Sequence, residues 1–404
     1  MTNKTWKKII LTFLMYAGFI YLYLFHFTTR TIPDVYIGSV ADPSTFMPES
    51  DIQKAITFAR IRHLLFFLSN PIHWLAILYF FTSDLSTEAK NWCQKNIRNK
   101  SLQYTIYFFV FSLFSFLVRI PFQFINFQLA RFYGTSFMSL SRWLRNRGID
   151  FVIDFLLYLI ILLVVISIKK RFKKKWWLIS WFIFIPFAFF FMFIQPVIID
   201  PLYNDFVPLQ DLELRNRITE FTEEFNLSIS NLYEVKMSGR TNSINAYVTG
   251  IGGSARIVLW DTAIEGLSED ALMFLIAHEI AHYLHRDVYI AIVIAIGFAF
   301  GGLFIIYKIL NRFEEDQFIQ IPVAILSIYM LLFFVSPATN YFSRSIERRA
   351  DQFALEKTAN YEAGIELFQT LASISLNDVH PPQLVRIFRS THPSIFERIQ
   401  TLIE

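Results

Sequence analysis

Cysteine is almost absent from this sequence, which contains Cys93 and no other. A single cysteine excludes an internal disulfide and a cysteine-rich metal site, so a metal ion would need histidine and carboxylate ligands. Charge is also scarce, since only 17% of the residues are charged and the formal net charge is +4. The basic residues stand mostly beside apolar segments, which is a topology signal and predicts no nucleic-acid partner.

Apolar residues are abundant instead: 54% of the sequence is hydrophobic and 18% is aromatic, which is too much for an ordinary soluble domain. They form runs long enough to cross a bilayer, which takes about 20 residues in a helix. The first run follows three lysines but lacks a small-residue cleavage pattern, so we interpret it as a retained anchor. The seven runs are Ile9–Phe27, His63–Phe81, Gln103–Phe124, Phe151–Ile168, Trp176–Ile198, Val288–Tyr307 and Ile319–Phe342.

The order of these runs predicts two domains in a mainly α, polytopic membrane protein. Residues 1–199 form a membrane domain with five transmembrane helices, and residues 200–404 form a small α+β domain interrupted by a transmembrane hairpin at about 288–342. In the second domain, Leu212–Phe225 has helical periodicity. Ser243–Thr249 and Ala255–Asp261 are short, partly β-branched and separated by a glycine-rich segment, which predicts a β-hairpin.

A second helix of this domain carries the pattern His278-Glu279-Ile280-Ala281-His282. Ser268 is suited to cap this helix, and residues four apart lie on one helical face, so both imidazoles can reach one ion. Glu279 stands beside the first ligand, where a carboxylate can take a proton from a metal-bound water. A catalytic zinc needs a third protein ligand and one open position.

The third ligand must come from elsewhere in the chain. The metzincin arrangement is excluded, because the position ten residues after the first histidine is Val288. His285 lies about seven residues from His278, which favours a place outside the ligand shell. Glu347 is the better candidate, with Asp351 one turn further on to orient a ligand. A solvated, mixed-charge helix end is the alternative interpretation of this segment.

The combination of H-E-x-x-H, a downstream E-x-x-x-D and seven apolar runs resembles the type I CAAX prenyl endopeptidases, a family of multi-spanning, gluzincin-type zinc peptidases. The resemblance is tight from Asp200 onward and looser before it. Four further segments match in the same order, and so, more loosely, does Pro121–Trp143. The four are Asp200-Pro201-Leu202-Tyr203-Asn204, Asn245-Ala246-Tyr247, Val258-Leu259-Trp260-Asp261-Thr262 and Thr391-His392-Pro393.

The resemblance implies a zinc-dependent endopeptidase with one Zn²⁺ per chain, whose helices surround a water-filled chamber with the zinc site at its mouth. It implies His278, His282 and Glu347 as the zinc ligands. It also implies Glu279 as the general base and Asp351 as a proton-donating or ligand-orienting carboxylate.

Three further residues are candidates for contacts with the substrate. His392 is a candidate to polarise the scissile carbonyl or to stabilise the developing oxyanion, the alternative being a loop histidine before proline. Asn245 and Ala246 are candidates for an edge strand on which an extended peptide substrate pairs, or they belong to a plain structural hairpin.

Other functions remain open at this point. The substrate is a peptide or protein, prenylated at its C-terminus or, in a membrane-protein quality-control protease, unlipidated. A transporter or receptor with a structural zinc is a third possibility, although such sites usually have four ligands including cysteine. Arg119 and Asp154 fall inside predicted crossings, so they should pair with each other or line the chamber.

Two arguments give opposite predictions for the side of the membrane that the zinc domain faces. The amino terminus and the connections on its side carry 15 basic residues and the opposite connections carry 8, which puts the amino terminus in the cytoplasm and the zinc domain outside. The family resemblance implies a cytosol-facing zinc site, and we favour that orientation. The predicted location is a bacterial inner membrane, or the endoplasmic reticulum in a eukaryote.

Overall fold

The computed structural model describes residues 2–28, 32–225, 227, 231–250, 255–313 and 316–404, and it is mainly helical. Within these ranges six helices are long and apolar enough to cross a bilayer, and a bent pair, Trp176–Met192 and Gln195–Leu202, makes a seventh if its 44° break lies within one span. Each of the seven predicted runs falls in one of these segments, and the bent pair contains the fifth. The predicted fold class is confirmed.

Within the described residues, the first half of the chain consists mainly of helices, and the connection between the first two spans residues 28–48. Side chains cap two of the long ones, because Asn99 accepts a hydrogen bond from the Leu102 amide and Ser139 accepts one from the Arg142 amide. The six helices are α1 (Asn3–Leu22, continued by a π-turn to Phe27), α2 (Glu49–Thr82), α3 (Asp84–Asn96), α4 (Lys100–Phe132), α5 (Leu140–Phe172) and α6 (Trp176–Ile194).

In the described part of the second half, a four-stranded sheet packs with eight α-helices. The strands are β1 (Phe206–Pro208), β2 (Asn231–Val235), β3 (Ala246–Thr249) and β4 (Arg256–Trp260), in the order β1-β2-β4-β3. The helices are α7 (Leu212–Glu223), α8 (Asp261–Gly266), α9 (Glu269–Leu284), α10 (Asp287–Leu310), α11 (Gln317–Thr358), α12 (Tyr361–Ser375), α13 (Gln383–Phe388) and α14 (Ile395–Ile403).

The predicted hairpin is present, because β3 pairs antiparallel with β4 and Ala246 stands opposite Leu259. Its turn residues 251–254 lie outside the described residues. Sequence periodicity did not reveal that β2 pairs parallel with β4 on the other side. As a result β3 forms one edge of the sheet.

Helix α9 runs through the core of the second half. Ser268 caps it as predicted, by accepting a hydrogen bond from the Ala271 amide. Ten of its residues are buried, and they pack against α11, α12 and β3. Phe274 meets Phe368 of α12 edge to face, with ring centroids 6.1 Å apart. This burial fixes the helix that carries the two histidines.

Helix α11 connects the two ends of the molecule. It is 42 residues long and continues past its apolar part to bring Glu347 against α9. At its start, Asp316 forms an ion pair with Lys90 of α3, with Nζ and Oδ2 2.5 Å apart. Glu347 stands about 45 Å further along the helix axis, at 1.5 Å per residue. Because Lys169 also contacts Gln320 near the start of α11, two of the basic connections lie at the opposite end of α11 from Glu347.

Candidate metal centre and active site

His278, His282 and Glu347 come together where α9 packs against α11. Each offers one ligand atom, and these atoms lie within 4.8 Å of one another. The two imidazole Nε2 atoms are 3.1 Å apart. The Glu347 carboxylate is 3.3 Å from His278 Nε2 and 3.6 Å from His282 Nε2. Two neutral imidazoles and a carboxylate in this arrangement are the donor set of a catalytic zinc site.

The far nitrogen of each imidazole faces a buried carboxylate. His278 Nδ1 is 2.9 Å from Asp351 Oδ1, and His282 Nδ1 is 2.9 Å from Asp287 Oδ2. Each carboxylate favours a proton on Nδ1 of a neutral imidazole, which leaves the Nε2 lone pair available for a metal ion. The two Nε2 atoms are 3.1 Å apart and lie in one cluster with Glu347, so the residues present fit a metal ion.

The electrostatics of His278 support the same conclusion. Burial favours its neutral form, but Asp351 and Glu347 outweigh burial and raise the pKa of His278 to about 9. Glu347 is itself buried, and its Oε2 lies 3.3 Å from both His278 Nε2 and His392 Nε2. A buried carboxylate is costly unless positive charge or donors compensate it, and a bound cation would supply that charge. The site is therefore arranged for positive charge.

Arginines fix the two carboxylates behind the imidazoles. Arg398 of α14 binds Asp351 through two contacts, Nε to Oδ2 at 2.9 Å and Nη2 to Oδ1 at 2.5 Å. Arg349 of α11 forms an ion pair with Asp287. Each histidine is thus held by a carboxylate that an arginine from another element holds in turn.

A cavity of about 580 Å³ opens beside these ligands and is lined by Glu279, Asn245 and His392. Burial raises the pKa of Glu279, which brings this carboxyl closer to the range in which it can exchange protons near neutral pH. Of the residues predicted to act on a substrate, these three line one cavity together with the ligand candidate His278.

His392 approaches the ligand cluster from the loop before α14. Its Nε2 is 3.3 Å from Glu347 Oε2, and the Thr391 hydroxyl is 2.9 Å from its Nδ1. Desolvation inside the cavity lowers the pKa of His392, so the ring is neutral at neutral pH. With the Thr391 hydroxyl donating to Nδ1, the proton sits on Nε2 and points toward the centre.

Asn245 and Ala246 have different surroundings. The Asn245 side chain is exposed and lines the cavity, whereas Ala246 is only 2% exposed and belongs to the hydrophobic core. The Asn245 carbonyl accepts a hydrogen bond from the Trp260 amide, 3.1 Å away. Any contact of Ala246 with a substrate would therefore involve its main chain, at the free edge of β3.

The remaining candidates lie elsewhere. His285 packs edge to face on Phe353, with ring centroids 5.7 Å apart, and is not in the ligand cluster. Arg119 and Asp154 line a second cavity of about 440 Å³ between the long helices. Of the two expectations for this pair, the structure therefore supports a shared chamber wall.

Sequence reasoning missed Asp287, Arg349 and Arg398. Asp287 follows His282 by five residues and starts the next helix, so an acidic residue near the histidine pair was a usable signal. No local sequence pattern indicated a role for Arg398, because its partner Asp351 lies 47 positions earlier in the chain.

The chain is similar to known proteins over nearly its whole length. Residues 208–404 match peptidase family M48, and residues 29–205 match a family described as CAAX prenyl protease N-terminal, five membrane helices. The uncharacterized metalloprotease YhfN of Bacillus subtilis is 38% identical over 401 residues, which cover 96% of this chain and 94% of that protein. A CAAX prenyl protease 1 homolog of Arabidopsis thaliana is 32% identical over 221 residues, about half of either chain.

Among solved structures, the crystal structure of S. mikatae Ste24p matches with a TM-score of 0.80 and 21% sequence identity, over 98% of both chains. At this identity the match shows a shared fold, which extends through both the membrane helices and the second half.

Proposed function

Because the chain belongs to peptidase family M48, as a multi-pass membrane metalloprotease related to the CAAX prenyl proteases, we propose that it is a zinc-dependent endopeptidase of the gluzincin type. His278, His282 and Glu347 hold the ion, of which there is one per chain. The observation that carries this proposal is the cluster of three ligand atoms within 4.8 Å beside a cavity that Glu279 lines.

A zinc ion in such a site lowers the pKa of a bound water and polarises a carbonyl group. Glu279 is the proposed general base. It is adjacent in sequence to a ligand, its carboxyl faces the cavity, and burial raises its pKa. The carboxylate takes a proton from the attacking water and passes it to the leaving amine.

His392 is proposed to stabilise the oxyanion as a hydrogen-bond donor. Its Nε2 points to the ligand cluster, and its neutral ring donates without a change of charge.

The carboxylates behind the histidines have a positioning role in this proposal. Asp351 is 2% exposed and both of its oxygens are bound by Arg398, so it orients His278 and does not reach a substrate. Asp287 orients His282 in the same way. Of the two roles expected for Asp351, the geometry favours ligand orientation over proton donation.

The edge of β3 is the proposed place for the substrate main chain. An extended peptide paired along this edge would pass Asn245 and reach Glu279 in the same cavity. Asn245 and Ala246 would contribute their main-chain groups, and the Asn245 side chain would contact the peptide as well.

The substrate is a peptide or protein, and it belongs to one of two classes, prenylated or unlipidated. The similarity to CAAX prenyl proteases supports a prenylated C-terminus. The similarity to a bacterial metalloprotease extends over nearly the whole chain, and the name of that protein gives no substrate. Unlipidated substrates, as in quality control of membrane proteins, are the second class. Cleavage of one peptide library with and without a farnesyl group separates them.

We also propose the domain division at about residue 200 and a cytosol-facing site in a bacterial inner membrane. The family resemblance supports this orientation, whereas two of the basic connections lie at the opposite end of α11 and support the reverse. The two orientations are distinguished by treating intact cells that carry single-cysteine variants in a Cys93→Ser background with a membrane-impermeant thiol reagent. If the site faces the cytosol, a cysteine in loop 173–175 is labelled and one at Asn377 is protected.

Replacement Glu279→Gln tests the mechanism. The variant should retain zinc at one ion per chain by elemental analysis, and it should lose cleavage by a factor of about 10² to 10⁴. Glu213→Gln on the exposed side of α7 is the matched control. Cleavage by Glu279→Gln at the wild-type rate would exclude Glu279 as the base.

A further inference from the structure

The active-site cavity contains two arginines that the proposed mechanism does not use. Arg62 of α2 and Arg389, just after α13, line the same 580 Å³ space as Glu279 and His392. Within the described residues neither guanidinium forms an ion pair with a carboxylate, whereas Arg398, which also lines the cavity, is bound by Asp351. Two cationic groups thus face the space where a substrate would lie.

The Arg344 side chain holds the segment that carries Arg389 by binding its main-chain carbonyls. Arg344 donates hydrogen bonds to the carbonyls of Arg386 and Ser390, at 2.7 and 2.8 Å, so both sides of Arg389 are fixed. The Arg389 Nη1 donates to His63 Nδ1 at 2.5 Å. The guanidinium is therefore positioned before any ligand arrives.

Aromatic rings support both guanidinium groups. Arg62 Cζ lies 5.1 Å from the centroid of Phe58, and Arg389 Cζ lies 5.6 Å from the centroid of Phe66. Packing against rings orients the charge and leaves the hydrogen-bonding edge of a guanidinium available for an anion.

The positive charges of Arg62 and Arg389 repel each other. Desolvation and the nearby charge of Arg62 lower the pKa of Arg389 to about 10. Asp378 lines the same cavity, but it is not among the groups whose charge acts on Arg389. Like charges held close together in a partly dry cavity favour binding of an anion, and a guanidinium fork matches a carboxylate best.

We propose that Arg62 and Arg389 bind a carboxylate of the peptide substrate and thereby select which peptides are cleaved. This inference rests on the proposed function. The carboxylate is either the free C-terminus of the peptide or an aspartate or glutamate side chain, since both present the same two oxygens. Within the described residues, an uncharged substrate would leave both arginines without an ion pair to a carboxylate.

Matched peptides test the proposal on the full-length zinc-loaded protein. Starting from the fluorescence-quenched library peptide that is cleaved fastest, three forms are compared: the free acid, the C-terminal amide, and the free acid with each Asp or Glu replaced by its amide. Loss of the contacted carboxylate should lower kcat/KM about tenfold, mainly through KM. The form that shows the loss identifies the source of the carboxylate.

Variants connect that loss to the two arginines. Arg389→Gln and Arg62→Gln should slow cleavage of the carboxylate peptide about tenfold and leave the amide form nearly unchanged. Arg389→Lys keeps the charge and should restore part of the loss. Arg215→Gln on the exposed side of α7 is the control, and thermal unfolding checks that each variant is folded.

The outcomes separate this proposal from the one on which it rests. If the wild-type protein cleaves all peptide forms equally, or the arginine variants slow all forms equally, the carboxylate site is excluded while the peptidase function stands. If no peptide is cleaved, the peptidase function fails. Binding of library peptides in their free-acid and amide forms to Glu279→Gln, measured by fluorescence anisotropy, then still decides whether the arginines discriminate carboxylate from amide.

Discussion

The metal centre and the membrane cavity both hold charged side chains, but they hold them differently. At the metal centre, Asp351 is 2% exposed and is bound by a histidine and an arginine. In the membrane cavity, Arg119 and Asp154 are exposed to an open space of about 440 Å³. Direct contacts fix the first set, and room for water accommodates the second. A site that must hold an ion requires the first arrangement.

The largest effect is expected from Asp287→Asn, which weakens one of these direct contacts. Asparagine presents an amide to His282 and Arg349, so the imidazole loses its charged partner. Metal affinity should fall about 10- to 100-fold, measured by competition with a chelator. Asp34→Asn on an exposed turn is the control. Unchanged affinity would show that Asp287 does not position the ligand.

For each pH unit, the change in metal affinity should be nearly as large. A metal ion binds His278 only after its proton leaves, and the pKa of His278 in the metal-free site is raised to about 9. Affinity should therefore rise about tenfold per pH unit up to about pH 9 and then level off. The chelator titration repeated from pH 6 to 10 measures this slope. Levelling near pH 6.5 would contradict the raised pKa.

Packing beneath the metal centre is tested by Gly364→Ala. A Cβ at Gly364 would lie 2.7 Å from Leu402 and 2.8 Å from the Phe274 ring, which is on the helix that carries both histidines. The variant should be about 1–3 kcal/mol less stable, measured by thermal unfolding in detergent. Gly297→Ala is the control, because its Cβ would meet nothing within 4 Å. Equal melting temperatures for both variants would mean that α12 yields without strain.

The smallest effect is expected in the membrane cavity. The Asp154 carboxylate faces a cavity with room for water, so Asp154→Asn removes a charge that needs no direct partner. The free energy of unfolding should change by about 1 kcal/mol or less, and the zinc content should not change. Thermal unfolding and elemental analysis measure both. A loss as large as that of Gly364→Ala would show that Asp154 depends on a direct ionic contact and would remove the contrast between the two regions.

Several features were predictable from the chain because they depend on local periodicity or spacing. The apolar runs marked the long helices, and Ser268 with two histidines four apart marked α9. The hairpin of β3 and β4 followed from two short runs around a glycine-rich segment. The parallel pairing of β2 with β4 was not predictable, because it joins strands whose register is set by packing of the sheet and not by a turn.

The sequence by itself determined which residues can bind a metal, since cysteine is nearly absent and one helical face presents two imidazoles. Only the tertiary structure decided that Glu347 completes the cluster and that Asp287 and Asp351 stand behind the imidazoles. It also placed Arg62 and Arg389 in the same cavity as Glu279. The physical reason is that ligand spacing within a helix is local, whereas contacts between helices arise from packing of distant segments.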